Sequence, residues 1–330
     1  MNSAPDISVI IPAKDEEQSI PELGAWISRV MQANNLSYEV IFIDDGSSDR
    51  TWDAMVALND ANPAFKAIRF NRNFGKSAAL HTGFRAAQGE VVITMDADLQ
   101  DSPDEIPELY RMVRQEGYQM VSGWKRKRHD PITKTVPSKF FNTVTRWISG
   151  IKLHDFNCGL KAYARVVVKS VTVYGEMHRY IPVLAKWAGF TKIGEKVVDH
   201  HERKYGSSKF GFERFVRGFL DLLTITFVGR FARRPMHFFG AWGIVSFVVG
   251  FFFTAKILWD KLDSIYISKI PLKREVTQQP IFYLALVALI IGVQLFLTGF
   301  LAELIARQSI SKKEYLVTDR VGMNVDRVTA

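Results

Sequence analysis

Two long apolar stretches near the C-terminal end constrain the fold of this chain more than any other feature. Residues 238–259 carry one charge, Lys256, and residues 281–302 carry none. Each stretch is 22 residues long, and about 20 apolar residues in a helix cross the hydrocarbon core of a bilayer. Neither stretch shows the polar face typical of a long helix in a soluble core. We therefore predict two transmembrane helices within residues 236–307, rather than two buried core helices.

The distribution of charge bears on topology and on partners. The chain has 43 Lys and Arg residues against 34 Asp and Glu residues, a net charge of +9. A basic balance suits anionic membranes, phosphorylated ligands or nucleic acids, and nucleic acid is disfavoured because the basic residues cluster towards the apolar stretches. The single cysteine, Cys158, fits a reducing compartment. With no signal peptide visible, we expect both ends to be cytosolic, including the tail 308–330, and the membrane to be the inner or plasma membrane if the source is bacterial.

The first part of the chain alternates between strand-like and helix-like patterns. One helix carries Ile20, Leu23 and Ile27 on a single face, and another begins with Ser102 as its N-cap. Five apolar runs are predicted as strands: residues 7–13, 38–44, 66–70, 90–95 and 118–124. This rhythm predicts an α/β domain over residues 1–211, a wound, mainly parallel sheet with helices on both faces, whose ligands bind at the carboxyl ends of the strands.

Beyond this region the pattern changes. Residues 125–210 are irregular and basic. Residues 212–235 mix wide apolar coverage with sparse charges, which is typical of an amphipathic juxtamembrane helix, although an ordinary core helix fits the same periodicity.

Two acidic motifs follow strands at the expected binding edge. Asp44 and Asp45 begin the first, and their carboxylates can accept hydrogen bonds from a nucleobase or a ribose, or can simply cap a turn. Asp96, Asp98 and Gln100 form the second. Their oxygens suit a hard cation such as Mg²⁺ or Mn²⁺, which would neutralise a departing diphosphate. The pair of motifs is a stronger signal than either alone.

Lys76 lies in a Gly-Lys-Ser sequence, but the earlier glycine of a P-loop falls at Phe70. We interpret Lys76 as a contact to the donor's base or phosphates, or as a solvated lysine at the start of a helix. The chain also lacks G-x-G-x-x-G and G-x-S-x-G motifs, which argues against a dinucleotide oxidoreductase and an α/β-hydrolase.

Taken together, these motifs resemble a known family. The chain is similar to the family 2 glycosyltransferases of GT-A fold, specifically the polyprenyl-phosphate glycosyltransferases related to dolichyl-phosphate mannose synthase and the bacterial GtrB and ArnC proteins. The resemblance covers nearly the whole chain and is carried by VIIPAKDEE, IDDGSSDRT, RNFGKSAALHTGF, MDADLQDSPDEIP, HDFNCGLKAY, EMHRYIP, RKYGSSKF and the two apolar stretches. Asp15 departs from the pattern, since many relatives carry Asn there.

The resemblance implies an inverting transfer of a sugar from a nucleoside diphosphate sugar, expected to be UDP-linked, to a polyprenyl phosphate in the bilayer. The lipid-linked product would serve cell-envelope glycans or lipid modification. It implies donor contacts at Pro12, Ala13, Glu16, Asp44, Asp45, Lys76 and Asp96, and a Mg²⁺ or Mn²⁺ ion at Asp96, Asp98 and Gln100. It also implies a homo-oligomer, a tetramer in relatives.

On the acceptor side, Asp155 is a candidate base or positioning residue, with a helix cap as the alternative. His178 and Arg179 are candidates for phosphate contacts because adjacent cationic side chains rarely bury unpaired. Arg203, Ser207, Ser208 and Lys209 are expected to close over phosphates, or to form a basic loop attracted to anionic lipid. Asp98, Asp155 and Arg203 are the predicted catalytic residues. The alternatives are a non-catalytic nucleotide-sugar-binding regulator and a processive polysaccharide synthase, whose Q-x-x-R-W motif is missing at Arg146-Trp147.

Overall fold

The computed structural model describes residues 4–126, 142–202, 204–205, 235–270, 274–308 and 317–322. The chain forms two compact units. One comprises residues 1–225 together with 314–330, and the other comprises residues 226–313. The first unit contains a β-sheet with helices, and the second contains two long apolar helices.

Among the described residues, the sheet of the first unit has eight strands. They are β1 (Ile7–Ala13), β2 (Tyr38–Asp44), β3 (Phe65–Phe70), β4 (Val91–Thr94), β5 (Met120–Trp124), β6 (Lys161–Ala164), β7 (Ile193–Val197) and β8 (Val317–Val321). Their order in the sheet is β7-β5-β6-β4-β1-β2-β3-β8. Strands β1, β2, β3 and β4 run parallel to one another, β5 runs parallel to β7, and β6 and β8 are antiparallel to their neighbours. The prediction of a wound, mainly parallel sheet is confirmed.

Helices cover both faces of the central strands, which explains their continuous apolar sequences. Odd-numbered residues of β1, such as Val9, join the core formed with α1 (Ser19–Ala33) and α4 (Ile106–Arg114). On the opposite face, Ile10 lies directly against Gly83 of α3 (Lys76–Ala86). A further helix, α2 (Thr51–Ala61), connects β2 to β3. The predicted cap is also present, since the Ser102 hydroxyl accepts from the Asp104 amide at 3.3 Å at the start of a 3₁₀ turn that leads into α4.

Three strands escaped the sequence analysis. β6 and β7 lie in the region predicted as irregular, and that prediction is wrong there. β6 has only four residues, too few to show a period, and the residues of β7 are half-buried or exposed at the sheet edge. β8 lies in the predicted tail and pairs with β3. Shorter helices occupy residues 142–149, Arg165–Ser170 and Ile181–Trp187.

The second unit is a helical pair. Its helices span Pro235–Leu262 and Pro280–Gln308, and both are long and apolar enough to cross a membrane. Glycines line the contact between them. A Cβ atom at Gly243 would lie 2.9 Å from the Gly292 carbonyl oxygen, and one at Gly250 would lie 2.9 Å from the Ala285 carbonyl oxygen. Small residues of this kind let two helix backbones approach closely in a membrane. The Ser246 hydroxyl donates across this seam to the Ala288 carbonyl at 2.8 Å.

Candidate active site

The turn after β2 is fastened to the loop after β1. Asp15 has a positive φ of 56°, and its carboxylate accepts from the Ser48 amide at 2.8 Å, while its own amide donates to the Ser47 hydroxyl at 3.0 Å. The Glu16 amide donates to the Thr51 hydroxyl at 2.7 Å. These bonds hold the loop that follows Pro12 and Ala13 against the acidic turn. An Asp tolerates this left-handed backbone better than most residues do, so the departure at position 15 is structurally accommodated.

The two carboxylates that begin the first acidic motif are engaged with the protein itself. Asp44 is fully buried; it accepts from the Ser47 amide at 2.8 Å and lies 3.3 Å from the Arg69 guanidinium. Asp45 accepts from the backbone amides of Phe74, at 2.7 Å, and Gly75, at 3.0 Å. Burial raises the pKa of Asp45, an effect that these amides only partly offset. Asp45 therefore organises the loop that leads into α3.

Lys76, the first residue of α3, forms an ion pair with Asp96, the second residue after β4. Burial by itself would raise the pKa of the Asp96 carboxyl, but the positive charges of Lys76 and Lys125 outweigh it and hold that pKa well below its usual range. Asp96 is thus ionised at neutral pH. The interpretation of Lys76 as a solvated lysine is wrong, because its ammonium group lies on a carboxylate of the second acidic motif.

The second acidic motif forms a tight turn. Leu99 has a positive φ of 61°, and its side chain is buried. This strained conformation places Asp98 and Gln100 on either side of one reversal, where the Gln100 amide donates to the Asp98 carboxylate at 3.3 Å. The Gln100 carbonyl accepts from the His201 amide at 3.0 Å. Strain at a non-glycine residue between two candidate metal ligands is consistent with a functional turn.

A buried ion pair that the sequence did not predict stabilises this turn. Asp101 is fully buried, lies 2.8 Å from the Lys125 ammonium, and accepts from the Asp96 amide at 3.3 Å. The carboxylate of Asp101 raises the pKa of Lys125 despite burial. In the sequence, Asp101 is only the fourth polar residue of MDADLQD. Its spacing does not show whether its carboxylate binds a metal ion or stabilises the turn.

Asp155 is buried, and its carboxylate accepts from the Asn157 amide at 3.0 Å. It caps a turn of its own loop, so the alternative that it caps a helix is wrong. Glu195 of β7 fastens this loop, accepting from the His154 amide at 2.7 Å, the His154 ring at 2.6 Å and the Asp155 amide at 3.1 Å. The His154 ring also stacks on Trp124, with 4.1 Å between ring centroids.

A buried lysine follows this loop at the carboxyl edge of the sheet. Lys161 is the first residue of β6, opposite Thr94 of β4, and is only 4% exposed. Its ammonium group donates to the Cys158 carbonyl. Burial lowers the pKa of Lys161, and the positive charge of Lys76 adds to this effect. The sequence does not single out Glu195 or Lys161, because only the pairing of their strands brings them to the site.

His178 is held by α3. Its amide donates to the Ser77 hydroxyl at 3.0 Å, and its Nδ1 lies 3.1 Å from the same hydroxyl. Burial, followed by the charges of Lys76 and Arg179, holds the pKa of His178 well below its ordinary value. His178 is therefore a neutral imidazole at pH 7. The premise of two adjacent cations does not hold for this residue, and its contact with phosphate stays a prediction.

The predicted phosphate segment lies outside the described residues, as do residues 212–234 of the predicted juxtamembrane helix; its last residue, Pro235, begins the first long helix. The residues concerned are Arg203, Ser207, Ser208 and Lys209. Among the described residues, no three His, Cys, Asp or Glu side chains gather closely enough to hold one metal ion. The predicted ligand set differs from such a cluster, because Gln100 contributes an amide oxygen.

Both acidic turns lie at the carboxyl edge of a mainly parallel sheet, the edge at which α/β folds bind their ligands. The model of the family described as "Glycosyl transferase family 2" matches residues 8–172. The dodecaprenyl-phosphate galacturonate synthase of Rhizobium johnstonii is 34% identical over 305 residues, covering 92% of this chain and 88% of that protein. The chain belongs to glycosyl transferase family 2.

Other relatives and solved structures agree. The undecaprenyl-phosphate 4-deoxy-4-formamido-L-arabinose transferase of Pseudomonas syringae is 34% identical over 254 residues, covering 76% of this chain and 73% of that protein. Glucosyl-3-phosphoglycerate synthase from Mycobacterium tuberculosis, solved with Mn²⁺, UDP-glucose and phosphoglyceric acid, has a TM-score of 0.52 at 20% identity. That alignment covers 68% of this chain and 79% of the solved one, and it supports the fold alone.

Proposed function

We propose that this enzyme transfers a sugar, with inversion, from a nucleoside diphosphate sugar to a membrane polyprenyl phosphate. The observation that carries the donor half is the presence of three lysines near the Asp96 turn: Lys76 on Asp96, Lys125 on Asp101, and the buried Lys161. Such a site suits a ligand with several negative charges. The acceptor half is supported by relatives whose names specify dodecaprenyl and undecaprenyl phosphate.

The donor would lie across the carboxyl ends of β1, β2 and β4. Its base and ribose would meet the loop of Pro12, Ala13 and Glu16 and the turn that Asp44 and Asp45 hold in place. Its diphosphate would lie near Lys76 and the Asp96 turn. The fastening of these loops to one another leaves little to reorganise when the donor binds. A site fixed in this way loses less free energy to ordering than a mobile one. A UDP-linked donor is part of this proposal, as the resemblance implies.

A divalent ion, Mg²⁺ or Mn²⁺, fits the second acidic turn. The donors there are the carboxylates of Asp96 and Asp98 and the amide oxygen of Gln100, and hard cations prefer such an all-oxygen set. When bound, the ion would neutralise charge on the departing nucleotide. The residues themselves are held by Asp101 and by the strained Leu99. The solved neighbour contains Mn²⁺.

The acceptor phosphate needs little activation. Its second pKa is near 6, so it is largely anionic at neutral pH. Asp155 would therefore position the acceptor rather than remove a proton from it. Neutral His178 can donate a hydrogen bond without adding charge, while Arg179 would contribute the cation. Arg203, Ser207, Ser208 and Lys209 remain proposed phosphate contacts. A single in-line displacement at the anomeric carbon inverts its configuration.

The two long helices would anchor the enzyme by spanning the membrane twice, with both ends and the catalytic unit in the cytosol, where nucleotide sugars are made. In a bacterium this would be the inner membrane. A homo-oligomer, tetrameric as the resemblance implies, is part of the same proposal.

The test is transfer of label from a panel of nucleotide sugars to undecaprenyl phosphate by the purified, detergent-solubilised protein. The panel contains UDP-galacturonate, UDP-4-deoxy-4-formamido-L-arabinose, UDP-glucose, UDP-N-acetylglucosamine and GDP-mannose. We expect one donor to give a lipid-linked product with a single sugar of inverted configuration. A polymeric product would indicate a polysaccharide synthase, and tight donor binding without turnover would indicate a regulator. Either result would overturn the proposal.

A further inference from the structure

Lys76 contacts the same carboxylate that the proposed metal ion requires. The two residues come from different elements, the start of α3 and the turn after β4, and their side chains are 34% and 33% exposed. The contact therefore lies in the open part of the site and not in the core. An ammonium group and a divalent ion compete for one carboxylate because both seek its oxygens.

The position of Lys76 is fixed by its neighbours on both sides. Gly75 adopts a φ of 90°, which favours glycine, and its amide is held by Asp45. On the other side, the Ser77 hydroxyl is held by His178. An ion pair between partly exposed side chains is ordinarily weak because two long side chains lose freedom. Here the hydrogen bonds of Gly75 and Ser77 order the backbone on both sides of Lys76, so the pair needs only the two side chains to be ordered.

We infer that Lys76 is an exchangeable counter-ion of Asp96, which it occupies in the donor-free enzyme and leaves for the donor diphosphate when nucleotide and metal bind together. This inference rests on the proposed function, since it takes Asp96 as a metal ligand. A lysine suits the role because its flexible stem lets the ammonium group move between partners. A diphosphate supplies enough anionic oxygens for both the ammonium group and a divalent ion.

Two consequences follow for binding. Without nucleotide, the metal must displace Lys76, so its affinity for the free enzyme is reduced. With nucleotide, Lys76 has a new partner, so metal and nucleotide each raise the affinity of the other, and by the same factor.

The test measures free Mn²⁺ by electron paramagnetic resonance during titration of the full-length protein without nucleotide. We expect Lys76→Met to bind Mn²⁺ at least tenfold more tightly than the wild type. Lys14→Met is the matched control, because it removes one exposed positive charge from a neighbouring loop without touching Asp96. Equal affinities for the wild type and Lys76→Met would overturn the exchange.

Two further variants separate this inference from the proposed function. Adding Asp96→Asn to Lys76→Met should abolish the gain in affinity; a gain that persists would mean that the ion binds elsewhere and that the exchange is wrong. If wild type and Lys76→Met bind Mn²⁺ equally and Asp98→Asn prevents binding, the metal site stands and only the exchange fails. If no variant binds Mn²⁺, with or without UDP, both the proposed metal site and the exchange of Lys76 are wrong.

Discussion

Gly159 lies so close to Asp96 that a Cβ atom at position 159 would be 2.7 Å from the Asp96 carboxylate. The Gly159 carbonyl also accepts from the Thr94 hydroxyl at 2.8 Å. Gly159 of HDFNCG and Asp96 of MDADLQ are thus in direct contact within one site. The absence of a side chain at 159 leaves room for the carboxylate.

Gly159→Ala should therefore displace Asp96 and lower kcat by at least tenfold, about 1.4 kcal/mol of lost transition-state stabilisation. The unfolding temperature should change little, because the group that gives way is the end of a side chain. Gly24→Ala is the matched control: its Cβ would lie 2.8 Å from the Leu58 side chain, far from the site. Transfer rates and thermal unfolding of both variants check this. Full activity in Gly159→Ala would contradict it.

Asp98→Asn should reduce transfer by at least about 100-fold, since a metal ligand contributes several kcal/mol to stabilising charge in the transition state. The side chain is half-buried at the turn, so the substitution should leave thermal stability nearly unchanged. EDTA should inactivate the wild type, and added Mg²⁺ or Mn²⁺ should restore it. An active Asp98→Asn enzyme would remove this residue from the metal site.

The stability of the enzyme should fall as the pH is lowered below about 6.5, partly because of His178. Below that pH the unfolded chain binds a proton at this position, whereas the folded protein, in which the pKa of His178 is held well below its ordinary value, does not. The free energy of unfolding should decrease by up to about 1.4 kcal/mol per pH unit from this group. Unfolding temperatures of wild type and His178→Gln between pH 8 and pH 5 measure the difference. A wild type and a variant with the same pH dependence would contradict the assignment.

Cysteine labelling tests the proposed topology. Ser268→Cys places an exposed thiol between the two long helices, and we expect it to react with an impermeant maleimide in intact cells. Gln115→Cys, exposed in the catalytic unit, should react only after the membrane is opened. The native Cys158 needs no replacement, because it is buried and burial raises the pKa of its thiol to about 12. The reverse labelling pattern would place the catalytic unit outside the cytosol.

The sequence predicted the central strands well because burial on both faces leaves a continuous apolar run, as in Val9, Ile10 and Ile11. It also predicted α1 and its buried residues, Ile20, Leu23 and Ile27, from a single period. The edge strands could not be predicted in this way. β7 carries Glu195 and Lys196 and so has no continuous apolar run, and β6 is shorter than any detectable period.

The candidate site likewise has residues that the sequence predicts and partners that it does not. Asp44, Asp96 and Asp98 were predicted because a carboxylate just after a buried strand is informative by itself. The partners of these residues are distant in sequence: Asp45 binds amides about 30 positions later, and Lys76 reaches Asp96 across 20 positions. Glu195 binds the Asp155 loop from 40 positions away. Such pairings depend on strand order, which no local pattern encodes.

The glycine seam of the second unit restricts where a lipid can be accommodated. Gly243 and Gly292 bring the two backbones into direct contact, and the Ser246 hydroxyl is hydrogen-bonded across the same contact to the Ala288 carbonyl. An isoprenoid tail cannot thread between helices packed in this way. We therefore expect it to run along their outer surface, where bulky side chains such as Trp242 and Phe251 are exposed. The two helices would then anchor the enzyme without forming a lipid channel. Acceptors would reach the enzyme by diffusing along the outside of the helix pair.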